Sequence, residues 1–288
     1  MEFILYIGNY FSGGQDRCFE LPSDFLAANV GGNIKTTPER MNGLQEFKFN
    51  HIYELVDLID GSVKAGVSFW NYDEDVFIRS ATKFSKETLL HLYIVTTAIN
   101  YHHKDFRKNG NLIDEDSIEK WYSLFDSYSI KVRKYNFSGK TEIVKWFELN
   151  IGNFEELFIK MSDEVFYILF ANRQFLLEFN NLTAETILDT EFPQKHLTPK
   201  GTIKRVAIPK WVKDAVFHRE KGRCVFCNTD LTGLVNTLTN SNYDHIVPLD
   251  LHGTNDPCNI QLTCEKCNKT KTNKDGTTSN KYIPWWPK

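Results

Sequence analysis

The sequence has no uninterrupted apolar run near the ~18 residues that a membrane-spanning helix needs, so we expect no membrane segment. It opens MEFILYIGNYF, without the basic residues that begin a signal peptide, so we expect no export signal and a cytoplasmic location. The net charge of −3 excludes a histone-like polycation. Repeats and low-complexity tracts are also lacking. With 41% hydrophobic and 14% aromatic residues, the chain can build a packed core.

The charge is unevenly divided along the chain. Residues 1–195 carry 20 basic and 29 acidic side chains, whereas residues 196–288 carry 14 basic and 8 acidic ones. An anionic polymer would therefore be attracted to the C-terminal part. This distribution favours a nucleic-acid partner for the last third of the chain.

The larger N-terminal part mixes helical and strand patterns. Short apolar stretches at 3–7 and 66–70 predict strands, while apolar residues at helical spacing predict several helices. Pro209 suits the first position of a further helix over 210–219, because proline has no backbone N–H to satisfy there. We expect an α+β fold with a mainly helical N-terminal domain and some strands. The helical candidates before Pro209 are 51–61, 89–98, 118–125, 142–149, 154–161 and 166–179.

Prolines and basic residues interrupt the pattern after residue 189, which is typical of a linker. We therefore predict an α+β domain of unknown role over 1–195, a basic linker over 196–208 and a small domain over 209–288. The first domain could recognise, sense or dock a partner.

Five of the six cysteines lie between residues 224 and 267, and four of them form two C-x-x-C pairs separated by 36 residues. Each pair alone could be an inert or a redox-active dithiol. Two pairs together predict one tetrahedral zinc site, because Zn²⁺ bonds thiolates well and has no d-electron preference. We predict structural zinc on Cys224, Cys227, Cys264 and Cys267, and interpret the unpaired Cys18 and Cys258 as small buried hydrophobic residues.

A polar motif fills the gap between the two cysteine pairs. It reads D-H-I-V-P from Asp244, G-T-N-D from Gly253, and N-I-Q-L-T-C-E-K-C-N from Asn259 to Asn268, followed by Lys271. Asp244 and His245 at a strand end can converge with Asn259 and Asn268 in a ββα hairpin. The zinc would clamp the two ends of a motif too small to stabilise itself.

These residues resemble the HNH endonuclease family, whose ββα-metal fold hydrolyses phosphodiester bonds. The resemblance covers roughly residues 205–288. It implies that His245 is the general base for water and that Asn259 orients the loop bearing the base. It also implies that Asp244 and Asn268 hold one catalytic Mg²⁺ or Mn²⁺ through hard oxygen ligands. A lysine cluster could contact DNA phosphates; it comprises Lys266, Lys269, Lys271 and Lys274.

The resemblance leaves three functional hypotheses. The leading one is a metal-dependent DNA endonuclease, and the alternative is a non-catalytic zinc-knuckle module that binds nucleic acid. In the third, the C-terminal nuclease is the effector of a bacterial restriction or antiphage defence system, and the N-terminal domain docks a protein partner. Retention of Asp244, His245 and Asn268 favours the catalytic hypotheses.

Overall fold

A computed structural model describes residues 46–69, 72–110, 115–134, 140–233, 241–271, 273, 275–283 and 286. These residues are mostly helical, with one small antiparallel sheet near the C-terminus, which confirms the α+β class. In the described part of the chain, short 3₁₀ turns also occur at Gln194–His196, Leu249–Leu251 and Pro257–Asn259. In chain order, the elements are α1 (Ile52–Lys64), α2 (Glu74–Thr82), α3 (Leu89–Asn109), α4 (Glu115–Ser127), α5 (Lys140–Leu149), α6 (Ile151–Leu169), α7 (Arg173–Asp189), α8 (Lys210–Arg219), β1 (Ser241–His245), β2 (Ile260–Cys264) and α9 (Glu265–Lys271).

The chain forms two compact units. In its described parts, the first takes in residues up to 65, residues 69, 72 and 73, and residues 93–166. The second takes in residues 66–68, 74–92 and the chain from Tyr167 onward. Helices α2 and α7 therefore share a unit with the cysteine pairs, although both lie within the predicted N-terminal domain over 1–195. The division by function at residues 195 and 209 stays a prediction.

An aromatic core holds the first unit together. Phe154 on α6 is fully buried and contacts Phe147, Phe125 and Trp121 at ring-centroid distances between 4.4 and 5.2 Å. Such edge-on and tilted contacts are the favoured arrangements of aromatic rings. The helices of this unit are therefore joined through large apolar rings.

The second unit surrounds the two-stranded sheet. Strands β1 and β2 are antiparallel, with Ser241 opposite Cys264 and His245 opposite Ile260. Every residue of β2 is buried. Helix α8 contributes Val212 and Val216 to the core beneath β2. The sheet is short, so this packing and the cysteine site must supply most of its stability.

Several local predictions differ from the structure. Residues 66–69 form a turn and irregular backbone, not a strand, while the candidate strand at 3–7 lies outside the described residues. The predicted helix over 166–179 is interrupted, because Asn172 accepts a hydrogen bond from the backbone N–H of Phe175 and begins α7. Pro209 is the N-cap residue rather than the first helical residue of α8. Among the described residues, no helix has the length and apolarity to cross a membrane.

Candidate active site

The four paired cysteines converge as predicted. Their sulfur atoms all lie within 4.8 Å of one another, and Cys227 Sγ is 3.7 Å from Cys264 Sγ. A tetrahedral site with Zn–S bonds of about 2.3 Å would place its sulfurs about 3.8 Å apart. Burial raises the pKa of Cys227, but hydrogen bonds with Thr229, Cys224 and Cys267 outweigh it and bring the pKa to about 6, whereas burial raises the pKa of Cys224 and of Cys267. The donors therefore fit zinc.

Strand β1 places Asp244 and His245 at its end, next to the start of β2. Asp244 lies opposite Gln261, and His245 lies opposite Ile260, directly after Asn259. Helix α9 begins at the residue after Cys264, so the second cysteine pair joins β2 to α9. This is the ββα order expected from the sequence.

The His245 ring is almost fully buried, with 1% of the residue exposed. Burial is the main reason that its pKa is lowered to about 4, and the nearby Arg205 lowers it further. The Asp244 carboxylate and the Asn255 side chain offset part of this shift. Among the described residues, neither ring nitrogen has a hydrogen-bond partner within normal distance. At neutral pH the ring is uncharged and can accept a proton.

The Asp244 carboxylate is engaged through one oxygen. Its Oδ2 accepts hydrogen bonds from Lys271 Nζ at 2.8 Å and from Gln261 Nε2 at 3.3 Å. The Lys271 ammonium also donates to the His245 carbonyl at 2.6 Å. Gln261 donates to the carbonyl of Thr277 at 3.0 Å. Asp244 is thus held by two neighbours while 22% of its side chain stays exposed.

Asn268 lies on α9, three residues before Lys271, so both occupy one face of the helix. It is partly buried. The carboxylate of Asp244 and the amide oxygen of Asn268 are the hard donors that Mg²⁺ and Mn²⁺ accept, and Mg²⁺ sites often have few protein ligands because substrate phosphate and water supply the others. The donor set therefore fits a catalytic cation, and the pairing of these two residues on one ion remains a prediction.

Asn259 binds the loop that follows His245. It is fully buried, and its Oδ1 accepts from the backbone N–H of Val247 at 2.8 Å. Its Nδ2 donates to the carbonyls of Val247 at 2.9 Å and of Thr254 at 3.0 Å. These three bonds close the loop between β1 and β2. They support the predicted orienting role of Asn259.

The G-T-N-D segment anchors this loop to two helices. The Asn255 amide donates to the carbonyl of Thr82 at 3.2 Å, at the end of α2. The Asp256 carboxylate accepts from the backbone N–H of Leu89 at 2.8 Å, the first residue of α3. Helix ends leave such carbonyls and N–H groups unpaired, so polar side chains stabilise them. Sequence reasoning found the motif but could not find these partners, which lie 167 to 173 residues away.

Cys258 is fully buried, in agreement with its interpretation as a core residue. Its carbonyl accepts a hydrogen bond from Asn180 of α7 at 3.0 Å. Cys18 lies outside the described residues.

The predicted lysine cluster is not uniform. Lys266 and Lys269 are exposed, and Lys269 pairs with Glu265. Only 2% of the Lys271 side chain is exposed, and its ammonium faces Asp244. Lys274 lies outside the described residues.

A second basic group lies around the predicted linker. Lys83, Lys195 and Lys204 lie near enough to His196 to lower its pKa, although burial is the larger cause. Arg205 is exposed and acts in the same way on His245. The sequence showed these positive charges but gave no reason to place them beside the His245 loop.

Comparison with protein families gives one match: residues 224–274 match the model for "HNH endonuclease". The match spans both cysteine pairs and the motif between them, so residues 224–274 are similar to HNH endonucleases and carry four cysteines positioned for zinc. No curated protein and no solved structure matches the chain.

Proposed function

We propose that the protein is a metal-dependent endonuclease that hydrolyses phosphodiester bonds in DNA. The single observation that carries this proposal is the site at the end of β1. There His245 is uncharged, and its ring nitrogens have no hydrogen-bond partner in the described part of the chain. It lies next to Asp244 inside a region that matches HNH endonucleases.

His245 is the group we assign to activate water. A ring nitrogen would accept a proton from the water as its oxygen attacks phosphorus, and the bond from phosphorus to the leaving 3′ oxygen would break. A divalent cation held by Asp244 and Asn268 would supply Lewis-acid stabilisation to the phosphate and the leaving oxygen. Asn259 would keep the loop beside His245 in place through its three buried hydrogen bonds.

The charge around the site supports an anionic polymer as substrate. Lys266 and Lys269 are exposed on α9, while Arg205 is exposed near His245. Lysine and arginine side chains of this kind neutralise phosphates and release counterions. We therefore assign DNA binding to this face, with Lys274 retained as a proposed contact.

One observation favours the alternative of a non-catalytic zinc module that binds nucleic acid. Asp244 already has a buried ammonium partner, and His245 is closed from solvent. A module that had lost catalysis could retain both features. The two functions differ in whether a divalent cation produces strand breaks.

The experiment is cleavage of supercoiled plasmid by the full-length protein with Mg²⁺, Mn²⁺ or a chelator, on modified and unmodified DNA. Nicked or linear product that requires the cation supports the endonuclease. Binding without breaks under every condition would support the zinc module. Asp244→Asn is the matched variant: it should impair cleavage and leave the zinc content unchanged, because Asp244 is not among the zinc donors.

The biological setting is a further part of the proposal. Four cysteines that remain free to bind metal suit a reducing cytoplasm. We place the protein there, as the nuclease effector of a restriction or antiphage defence system. The first unit would dock a protein partner or select the target. Selective cleavage by the full chain of one DNA class would support this assignment.

A further inference from the structure

The side chain of Lys271 is buried, whereas most lysine side chains lie at the protein surface. It is 2% exposed, and its ammonium bridges Asp244 Oδ2 and the His245 carbonyl at 2.8 and 2.6 Å. Burying an ammonium is costly unless it is paired and hydrogen-bonded. The two acceptors provide that pairing, so the position of the ammonium is well determined by its neighbours.

The second oxygen of Asp244 has a different environment. Both donors, Lys271 and Gln261, bind Oδ2, and among the described residues no donor reaches Oδ1. A cation approaching Asp244 would therefore meet Oδ1, with a positive charge already on the other oxygen of the same carboxylate.

The local charge then decides how strongly a cation binds. Asp244 supplies one negative charge, and the Lys271 ammonium at 2.8 Å cancels it. Asn268 brings a dipole but no charge. A divalent cation therefore meets a site with no net negative charge, and repulsion from a unit charge a few ångströms away lowers its affinity.

We propose that Lys271 is a positioning residue that acts as an internal counter-ion of Asp244 and keeps cation binding weak until a phosphodiester arrives. The phosphodiester supplies the negative charge that Lys271 has cancelled, so the cation and the nucleic acid bind cooperatively. This inference rests on the proposed function, because the cation is the one that the nuclease would use. In this proposal, Lys271 sets the affinity of the site for the cation as well as the rate of turnover.

The test is titration of Mn²⁺ into the zinc-loaded, full-length protein, followed by electron paramagnetic resonance of the free ion. The variant is Lys271→Met, which keeps the length of the side chain and removes its charge. Lys271→Gln serves if the Met variant does not fold. Lys210→Met is the control, because Lys210 is an exposed lysine on α8 that pairs with Asp214 in solvent.

Without DNA, Lys271→Met should bind Mn²⁺ at least about tenfold more tightly than the parent protein, since a repelling charge is gone. Lys271→Arg should restore weak binding, and Lys210→Met should not change it. A phosphorothioate duplex should tighten Mn²⁺ binding by the parent protein and have a smaller effect on Lys271→Met. A neutral methylphosphonate duplex should have little effect on either protein.

Equal or weaker Mn²⁺ binding by folded Lys271→Met, with its zinc retained, would overturn the proposal. So would Mn²⁺ binding by the parent protein that DNA does not change. Neither readout requires cleavage. A protein that never cuts DNA but shows the expected change in Mn²⁺ affinity would contradict the nuclease function and leave the role of Lys271 intact.

Discussion

Replacing Asn259 with alanine should destabilise the second unit more than a typical substitution of a polar residue does. The change removes three hydrogen bonds from a fully buried side chain and leaves Val247 N–H, Val247 C=O and Thr254 C=O without their partner. An unsatisfied buried polar group costs about 1–3 kcal/mol. At about 1 kcal/mol or more each, the three groups together predict a loss of at least about 3 kcal/mol in the free energy of unfolding.

Urea unfolding of the zinc-loaded protein measures this loss, and hydrogen exchange of residues 246–254 locates it. Faster exchange should be confined to the loop and the strand ends beside it, because the cysteine site does not use Asn259. Asn280→Ala is a suitable control, since Asn280 is an exposed asparagine of the same unit. A loss below about 1 kcal/mol for Asn259→Ala, with exchange unchanged, would refute the claim that this side chain holds the loop.

Three further predictions concern zinc, backbone space and pH. Cys224→Ser should release stoichiometric zinc, measured by atomic absorption, and make the second unit protease-sensitive, because zinc binding and folding are coupled in such small motifs. A variant that retained both its zinc and its protease resistance would show that the four cysteines are not one site. Gly253→Ala should lower the melting temperature sharply, because its Cβ would lie 2.0 Å from the Val247 carbonyl oxygen. Gly152→Ala in α6 should be tolerated, because its Cβ meets nothing within 4 Å. Similar melting temperatures for the two variants would contradict this prediction. His102 is packed against Phe158 and Trp121, and burial lowers its pKa to about 4. The unfolded chain therefore takes up a proton first as the pH falls, and stability should drop by about 2 kcal/mol between pH 7 and pH 5. His102→Phe should remove that part of the pH dependence in urea unfolding, and an unchanged pH dependence would show that the ring is not held uncharged.

The zinc site could be predicted because ligand chemistry fixes it. Two C-x-x-C pairs supply four thiolates at a spacing that few other structures explain, and the structure confirms their convergence. The order of Asp244, His245 and Asn259 within the motif likewise predicts a hairpin, and the structure pairs β1 with β2 across the 14 residues 246–259. The local sequence therefore predicts most of the cysteine site and of the β1–β2 hairpin.

The remaining features depend on distant packing. Nothing near Lys271 in the sequence indicates burial, since lysine is usually a surface residue, and its pairing with Asp244 requires α9 to pack on β1. The contacts of Asn255 and Asp256 with α2 and α3 cross more than 160 residues. Asn172 caps the start of α7 and so separates it from α6. The apolar pattern over 166–179 continues across Asn172, so the sequence predicted one helix there. Such contacts are decided by tertiary structure.

DNA cleavage by His245→Ala tests the central claim most directly. The measurement is the rate of plasmid nicking with Mn²⁺ at neutral pH, alongside the zinc content and the melting temperature. His218→Ala is the matched control, because His218 is an exposed histidine on α8 outside the motif. Loss of a general base typically lowers the rate by ~10²–10⁴. We expect a loss of that size for His245→Ala, with its zinc retained and the His218 variant fully active. A His245→Ala variant that cuts DNA within a few-fold of the parent rate would contradict the assignment of His245 as the base.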